Sequence, residues 1–389
     1  SNELQGEAFF LTRPGFIDAS SPYAQRDLSG NQVKGGFQRY QAGFGVGGPI
    51  IKGQTFYYLN YEHTTDLKDN LLNSPALGVN ETVRGKNYFN YLSGKIDHYW
   101  SDHFHSALRA NLGVVGIGRQ AGGLTGGLNF PSSASDQVRN SLNLASTNVY
   151  TSGNLTLETN LQYARFRWDY ASPDNPTNPD VAVAGPTGET VAVLGHPGYA
   201  FESIQHTLQA QQKAIWSRGI HTFKAGAEFL STDHELFGGG NPNGSYRVQL
   251  TQAQLDNLRA ANLGTGLSIN DIPADALVSN YAVELRPASF GKRQNVYSVY
   301  FEDQLQTTDR LNLNLGLRYD YDNLSQGGSD KGDYNNLAPR LSFNYQLTPN
   351  STIRGGYGLF YDKILYSIYS DALQQNNDSE DFKKQIAYF

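Results

Sequence analysis

The chain has 389 residues, including 41 glycines, 25 tyrosines and 20 phenylalanines, and only 17% of its residues are charged. Because it contains neither cysteine nor methionine, disulfide scaffolds, thiolate metal sites and cysteine nucleophiles are excluded. Its formal net charge of -6 argues against a nucleic-acid-binding protein, whose surface would be basic.

The sequence offers no membrane-spanning helix, because it has no run of about 18 apolar residues. A membrane β-barrel remains open as a fold. The strands of such a barrel alternate lipid-facing and water-facing side chains, so its mean hydropathy stays low, as it does here at -0.50.

Alternation of apolar and polar residues with a period of two is the dominant pattern. Between residues 311 and 321, leucine and tyrosine occupy the odd positions, while asparagine, glycine, arginine and aspartate occupy the even ones. Successive side chains of a strand point to opposite faces, so the pattern predicts strands with one apolar and one polar face. About thirteen segments are predicted as strands: residues 2–12, 38–48, 54–62, 87–99, 103–114, 137–150, 154–170, 199–216, 220–235, 293–306, 310–322, 335–347 and 351–362.

The lengths of these segments and of their connections are typical of an outer-membrane barrel. Many segments reach ten residues, which suits a tilted crossing of a bilayer, whereas soluble strands are typically about five or six residues long. Short turns alternate with long loops, as between the periplasmic and outer ends of such a barrel. The predicted fold class is therefore all-β, a transmembrane antiparallel up-and-down β-barrel with long outer loops. These loops are residues 13–37, 63–86, 115–136, 171–198, 236–292 and 323–334.

The longest connection, residues 236–292, is predicted to be an extracellular loop insertion that contains a helix. Thr251 and Gln254 have the spacing of a capping box, which predicts a helix over Gln252–Ala261. Residues 272–278 and 364–374 are predicted to form further short helices.

Charged residues on the polar side of the strands are candidates for the water-filled interior. Charge on the lipid side costs a few kcal/mol near the membrane midplane, so these side chains are expected to face the lumen. They either solvate the wall, pair with a plug or line a substrate path. The candidates are Arg109, Lys224, Glu228, Arg318, Asp320, Arg340 and Arg354.

Aromatic residues cluster at the predicted strand ends. Because amphipathic rings favour the two membrane–water interfaces, these residues are predicted to form interfacial girdles. The alternative is that they are ordinary strand aromatics, which are enriched in any sheet. Trp100 and Trp216 lie at short turns, and Trp168, Tyr170, Tyr319, Tyr321 and Tyr361 lie at the opposite ends.

The sequence shows no serine–histidine–aspartate or paired-carboxylate arrangement, so neither an enzyme activity nor a catalytic residue is predicted. No cofactor or resident metal is expected either. Calcium at the outer loops is the one alternative left open, because this cation prefers clustered oxygen ligands. The acidic residues concerned are Asp320, Asp322, Asp330 and Asp333.

Several stretches resemble the barrel of Oar-like TonB-dependent outer-membrane receptors. They are residues 43–52 (GFGVGGPIIK) with 55–58 (TFYY) and Tyr61-Glu62, residues 221–226 (HTFKAG), residues 335–341 (NNLAPRL) and residues 353–362 (IRGGYGLFYD). The resemblance implies a receptor that moves a bulky solute across the outer membrane of a Gram-negative-type bacterium, with energy from a TonB–ExbB–ExbD system. Outer-membrane lipid and lipopolysaccharide would surround it, and protein partners could bind its outer loops.

The sequence departs from that family in its coupling parts. A receptor of this type would have a plug domain, a TonB-binding box and 22 strands, whereas residues 1–389 show neither plug nor box and only 13 or 14 strands. The chain is therefore expected to be an incomplete barrel portion, and Phe389 is not expected to end a closing strand. Two other functions stay open. One is a passive, porin-like diffusion channel, and the other is a non-transporting barrel that anchors partner-binding loops at the cell surface.

Overall fold

The computed structural model of the protein describes residues 2–19, 37–119, 121–122, 126–198, 200–238, 243–285, 289–325, 332–368 and 383–388. In this part of the chain, eighteen β-strands form one sheet of thirteen strands and one of five, and the helix α1 spans Gln252–Ala261. None of the helices in the described ranges is long and apolar enough to cross a membrane.

The thirteen-stranded sheet, here called the barrel wall, is antiparallel throughout and confirms the predicted fold class. Each of the thirteen predicted segments overlaps one of its strands. The sheet is open, with the first and last strands as its edges. In spatial order the strands are β1 (Gln5–Arg13), β2 (Gln38–Ile51), β3 (Thr55–Ser74), β4 (Val79–Ser101), β5 (Phe104–Arg119), β6 (Ser135–Ser152), β7 (Leu155–Pro173), β10 (Phe201–Arg218), β11 (His221–Gly238), β14 (Ser289–Thr308), β15 (Leu311–Asp322), β16 (Leu337–Thr348) and β17 (Ser351–Gly358).

The barrel wall has an apolar and a polar face, as the alternation predicts. Leu315 pairs with Leu341 on one face, and the two side chains remain 43% and 51% exposed. In a water-soluble protein such a row would be covered by a second layer, so this side, the lipid face, is suited to hydrocarbon. The opposite side is called the inner face.

The two ends of the wall differ, again as expected for an outer-membrane barrel. Six hairpins, of which β2–β3 and β16–β17 are examples, are closed by turns of two or three residues at one end. The long connections all lie at the other end, called the outer end.

One predicted long loop is in fact strand. Residues 63–86 form the outer half of the β3–β4 hairpin, which is closed by a 3₁₀ turn at Pro75–Leu77. The hairpin extends well past the alternating segments 54–62 and 87–99, and we interpret this part as lying outside the membrane. Without lipid on one side, the sequence there loses the apolar–polar alternation that marks the membrane-crossing part, and the prediction was wrong for that reason.

The outer loops form a compact unit, here called the outer cap. It comprises the tip of the β3–β4 hairpin with residues 126–134, 180–196 and 245–283. The cap contains most of a second sheet, with strand order β18-β13-β12-β8-β9. These strands are β8 (Asp180–Ala184), β9 (Thr190–Gly195), β12 (Ser245–Gln249), β13 (Leu277–Leu285) and β18 (Lys383–Tyr388).

The outer cap has a hydrophobic core of its own. All four parts of the cap contribute, so segments far apart in sequence are held as one body. The core residues are Leu72, Leu77, Val79, Phe130, Val181, Val183, Val191, Ala192, Leu194, Val248, Leu250, Leu255, Leu258 and Leu267.

The helix predictions in the cap have mixed outcomes. The helix α1 has the predicted bounds and capping box: the Gln254 backbone N–H donates to Thr251 Oγ1 (3.3 Å), and the Thr251 backbone N–H donates to Gln254 Oε1 (2.9 Å). The helix predicted at residues 272–278 is wrong, because β13 begins at Leu277. The helix predicted at residues 364–374 lies largely outside the described residues.

The last described segment, β18, pairs with β13 in the cap and not with β1 or β17 in the wall. The expectation that the chain is an incomplete barrel portion stays a prediction. Phe389 itself lies outside the described residues.

Candidate functional site

Strand register brings the seven charged candidates to the inner face. Lys224 lies opposite Glu302, and Glu228 lies opposite Ser298, which in turn is opposite Asp320. Cross-strand partners share a face, so the sequence of pairs can be followed around the wall. It places the full set on one side: Arg109, Lys224, Glu228, Arg318, Asp320, Arg340 and Arg354.

Four of these residues form fixed, mutually compensated charges. The Arg318 Nε atom donates to both Asp320 oxygens (2.9 Å each), and Ser298 Oγ donates to Asp320 Oδ1 (2.6 Å). A Glu228 carboxylate oxygen lies 4.0 Å from the Arg318 guanidinium. Lys224 donates to Glu302 at 3.2 Å. Charge-assisted hydrogen bonds of this kind hold side chains in place, so these residues give the wall a rigid polar lining.

The other three charged candidates are exposed arginines. Among the described residues, no carboxylate lies within ion-pair distance of Arg109, Arg340 or Arg354; the Arg340 guanidinium instead covers the Phe360 ring at 4.6 Å. A guanidinium that faces water without a carboxylate partner can bind an anionic or hydrogen-bonding solute. The inner face therefore combines neutralised pairs with available positive charge.

Sequence analysis missed two partners of these charges: Glu302, which neutralises Lys224, and Ser298, which donates a hydrogen bond to Asp320. Glu302 and Ser298 occupy even positions of β14, and the odd positions Tyr297, Val299 and Phe301 are exposed on the lipid face. The same alternation that identified Lys224 would have assigned them to the inner face, so the signal was present in the sequence.

Residues 359–366 cross the outer end of the inner face. The Ile364 backbone N–H donates to Asp322 (3.0 Å), and Gln294 donates to the Ile364 carbonyl (2.9 Å). A cavity of about 230 Å³ lies beside this segment, lined by Glu228, Arg318, Asp320 and Tyr361 among others. The strand predicted to reach residue 362 ends at Gly358, so Tyr361 lines this cavity and does not extend the row of lipid-facing aromatics.

Four of the predicted interfacial aromatics lie on the lipid-facing side. Trp216 continues the lipid-facing row of β10, and Tyr319 and Tyr321 end the leucine row of β15. Trp100 lies at the β4–β5 turn, 61% exposed, with its indole N–H donating to Ser106 Oγ (3.1 Å). That these four residues form interfacial girdles stays a prediction.

Trp168 and Tyr170 lie elsewhere than predicted. Trp168 pairs with Ser203, which shares the inner face with Gln209, and Tyr170 lines a cavity on that same side. Neither ring faces lipid. The sequence of β7 already indicated this. Its leucines at 155, 157 and 161 occupy odd positions, whereas Trp168 and Tyr170 occupy even positions and therefore lie on the opposite face.

The acidic residues considered for calcium are engaged by protein donors where they are described. Asp320 binds Arg318 and Ser298, Asp322 accepts from Gln294, and Asp333 accepts from Ser325. Asp330 lies outside the described residues. In the ranges given above, no group of three or more histidine, aspartate or glutamate side chains is arranged to hold a metal ion.

A long antiparallel wall with a lipid face, a charged inner face and short turns at one end defines an outer-membrane β-barrel wall. The chain belongs to the outer membrane beta barrel domain family, with matches over residues 1–77, 71–328 and 323–386. No curated protein sequence matches it significantly.

Solved outer-membrane proteins share the fold at low sequence identity. The outer membrane transporter YddB from Escherichia coli matches with a TM-score of 0.63 and 14% identity, over 92% of this chain and 43% of its own. The siderophore receptor PirA from Acinetobacter baumannii matches with a TM-score of 0.53 and 17% identity, over 92% of this chain and 43% of its own. A mutant of the ferric enterobactin receptor PfeA from Pseudomonas aeruginosa matches with a TM-score of 0.54 and 14% identity, over 92% of this chain and 44% of its own. The chain thus spans less than half the length of these structures.

Proposed function

We propose that the chain forms part of the barrel of an Oar-like TonB-dependent transporter, which moves a bulky solute across the outer membrane of a Gram-negative-type bacterium. The observation that carries this proposal is the inner face, where Arg109, Arg340 and Arg354 are exposed on a wall whose other side is suited to lipid. A wall that served only as an anchor would not need available positive charge along its interior.

The resemblance of residues 43–58, 221–226, 335–341 and 353–362 to Oar-like receptors supports the same function. It implies energy from TonB, ExbB and ExbD, and a plug inside the barrel. Of the solved proteins with this fold, one is described as an outer membrane transporter, one as a siderophore receptor and one as a ferric enterobactin receptor. The substrate of this chain is not assigned by that likeness.

In the mechanism we propose, the outer cap meets the solute first and the inner face carries it inward. Residues 236–292 contribute β12, α1 and β13 to the cap and are the largest candidate for capture. The neutralised pairs around Arg318 keep the wall rigid, and the exposed arginines offer successive weak contacts to a solute or to a plug.

Conductance of the full-length protein in planar bilayers tests this function against a passive channel. A plugged transporter gives no steady ion current, whereas a porin conducts continuously. The intact mass of the native polypeptide is the companion measurement: a mass far above 42.9 kDa supports a receptor with a plug and further strands. A steady current together with a mass near that value would contradict the proposal.

A surface-anchoring protein is the second candidate, and the compactness of the outer cap favours it. A cap with its own core can present a fixed surface to a partner whether or not solute passes beneath it. Binding of the TonB periplasmic domain to the purified full-length protein separates the two functions. We expect binding for a transporter and none for an anchor.

A further inference from the structure

A cavity of about 410 Å³ lies between the barrel wall and the outer cap, apart from the charged residues discussed above. The wall contributes Lys68 and Asn70 from β3 and Arg119 from β5, and the cap contributes Asn129 and Val193. Its volume lies in the range of small-molecule sites and is far too small for a bulky solute as a whole.

The cavity holds two cations and no acid. Lys68 and Arg119 both line it, and none of its described lining residues is aspartate or glutamate. The Arg119 guanidinium lies 4.4 Å from the centre of the Tyr170 ring, a cation–π contact that fixes its position without neutralising it. In the part of the chain that the structure describes, neither cation has a carboxylate within ion-pair distance. Two uncompensated positive charges around one cavity are complementary to an anion.

The remaining polar lining suits the same ligand. Asn70 and Ser135 also line the cavity and are 8% and 3% exposed. An amide and a hydroxyl can donate hydrogen bonds to the oxygens of a phosphate or carboxylate group. Gly122 also lines the cavity, and its left-handed φ of 59° brings the chain so close to Leu71 that a Cβ would meet the Leu71 carbonyl at 2.3 Å.

We propose that this cavity binds the phosphate or carboxylate group of a small organic anion, held by Lys68 and Arg119. Binding itself does not require the chain to be a transporter. If the anion is a terminal group of the transported solute, the assignment of an anionic substrate class rests on the proposed function, whereas a free anion would be a separate ligand of the cap.

Titration calorimetry with the full-length protein in detergent measures ligand binding at this site. The probes are glycerol phosphate and inorganic phosphate, and glycerol is the uncharged control. We expect saturable binding of a phosphate probe and none of glycerol. Lys68→Gln and Arg119→Gln should each weaken binding about tenfold or more, because each removes a charge-assisted contact. Lys68→Arg should retain binding. Lys52→Gln is the matched control, since Lys52 is an exposed cation in the β2–β3 turn at the opposite end of the wall.

The two probes distinguish the sources of the anion. Equal affinity for both probes identifies a free oxyanion, and tighter binding of glycerol phosphate identifies an anionic group on a larger molecule. Arg119→Gln also removes the contact with Tyr170, so Lys68→Gln is the decisive variant if Arg119→Gln disturbs the cap. Equal binding of glycerol and glycerol phosphate, or wild-type affinity in Lys68→Gln, would overturn the proposal. If the protein binds the anion but does not bind TonB, the proposed anion site is supported and only the proposed transport function is refuted.

Discussion

Ser74 donates a hydrogen bond from its hydroxyl to the backbone carbonyl of Val191, 117 residues later, at 2.7 Å. Ser74 ends β3 and is 1% exposed, and Val191 lies in β9 of the outer cap. The tip of the β3–β4 hairpin and β9, two parts of the outer cap, are therefore joined by a buried polar contact as well as by apolar packing. Such a contact links the hairpin tip to a strand far away in sequence.

Replacing Ser74 with alanine should loosen the cap at this junction. The Val191 carbonyl loses a buried donor, and the expected cost is about 1 kcal/mol of local stability. Hydrogen exchange of β9 amides should become measurably faster. Ser351→Ala, at the exposed start of β17, is the control. Equal exchange in the two variants would show that the contact does not hold the cap.

Removal of a core leucine should affect the cap far more than removal of a lipid-facing one. Leu194 is 0% exposed in the cap core, so Leu194→Ala leaves a cavity and should cost about 2–5 kcal/mol. Leu315→Ala removes the same atoms from the lipid face, where hydrocarbon can fill the space. Limited proteolysis of residues 180–196 in the two variants measures the difference. We expect cleavage in Leu194→Ala alone, and comparable resistance would refute a cooperative cap core.

The fold was predictable where the membrane imposes a pattern. Hydrocarbon on one side and water on the other forces the alternation in β15 and β16, and that alternation identified all thirteen wall strands. The cap was not predictable, because its core brings together residues from different loops, such as Leu72 and Leu194. Each loop alone is partly polar, and no local period shows that the four parts of the cap share one core.

The candidate site was predictable in its charges and not in its cavity. The alternation in β15 predicts that Arg318 and Asp320 share one face, and in the sheet Asp320 lies opposite Ser298 on that face. Lys68 and Arg119 lie in stretches that were predicted to be loops, 51 positions apart in sequence, and only the three-dimensional arrangement shows that they face the same space.

The outer cap should become less stable as the pH falls, because of His196. This side chain is buried at the end of β9, and burial lowers its pKa below the ordinary value of 6.5. Below pH 6.5, His196 therefore binds a proton more readily in the unfolded segment than in the folded cap. Stability contributed by the neutral ring is present above pH 6.5 and is lost as the pH falls toward the lowered pKa.

Asp180, nearby in β8, has the opposite effect, since burial raises its pKa and protonation then favours the folded cap at low pH. Hydrogen exchange of the cap, corrected for intrinsic rates, should accelerate between pH 7.5 and 5.5 in the wild type, a range of about two units around the histidine transition. His196→Asn keeps an acceptor for the Gly198 N–H and should remove most of that acceleration. An unchanged pH profile in the variant would assign the effect to other groups.

Two neighbouring positions in β16 test the orientation of the whole wall. Leu341 is 51% exposed on the lipid face, and Ser342 accepts a hydrogen bond from Asn314 on the inner face (3.0 Å). Arginine at the lipid face near the midplane costs about 2–4 kcal/mol, whereas arginine at the inner face meets water. Leu341→Arg should therefore fold into lipid vesicles with a stability lower by that amount, and Ser342→Arg should stay close to the wild type. Urea titration of the full-length protein in vesicles measures both. The two residues are adjacent in sequence, so the comparison isolates the effect of the face. A larger loss of stability in Ser342→Arg than in Leu341→Arg would mean that the faces are reversed. Arg318 and Arg340 would then not line the interior.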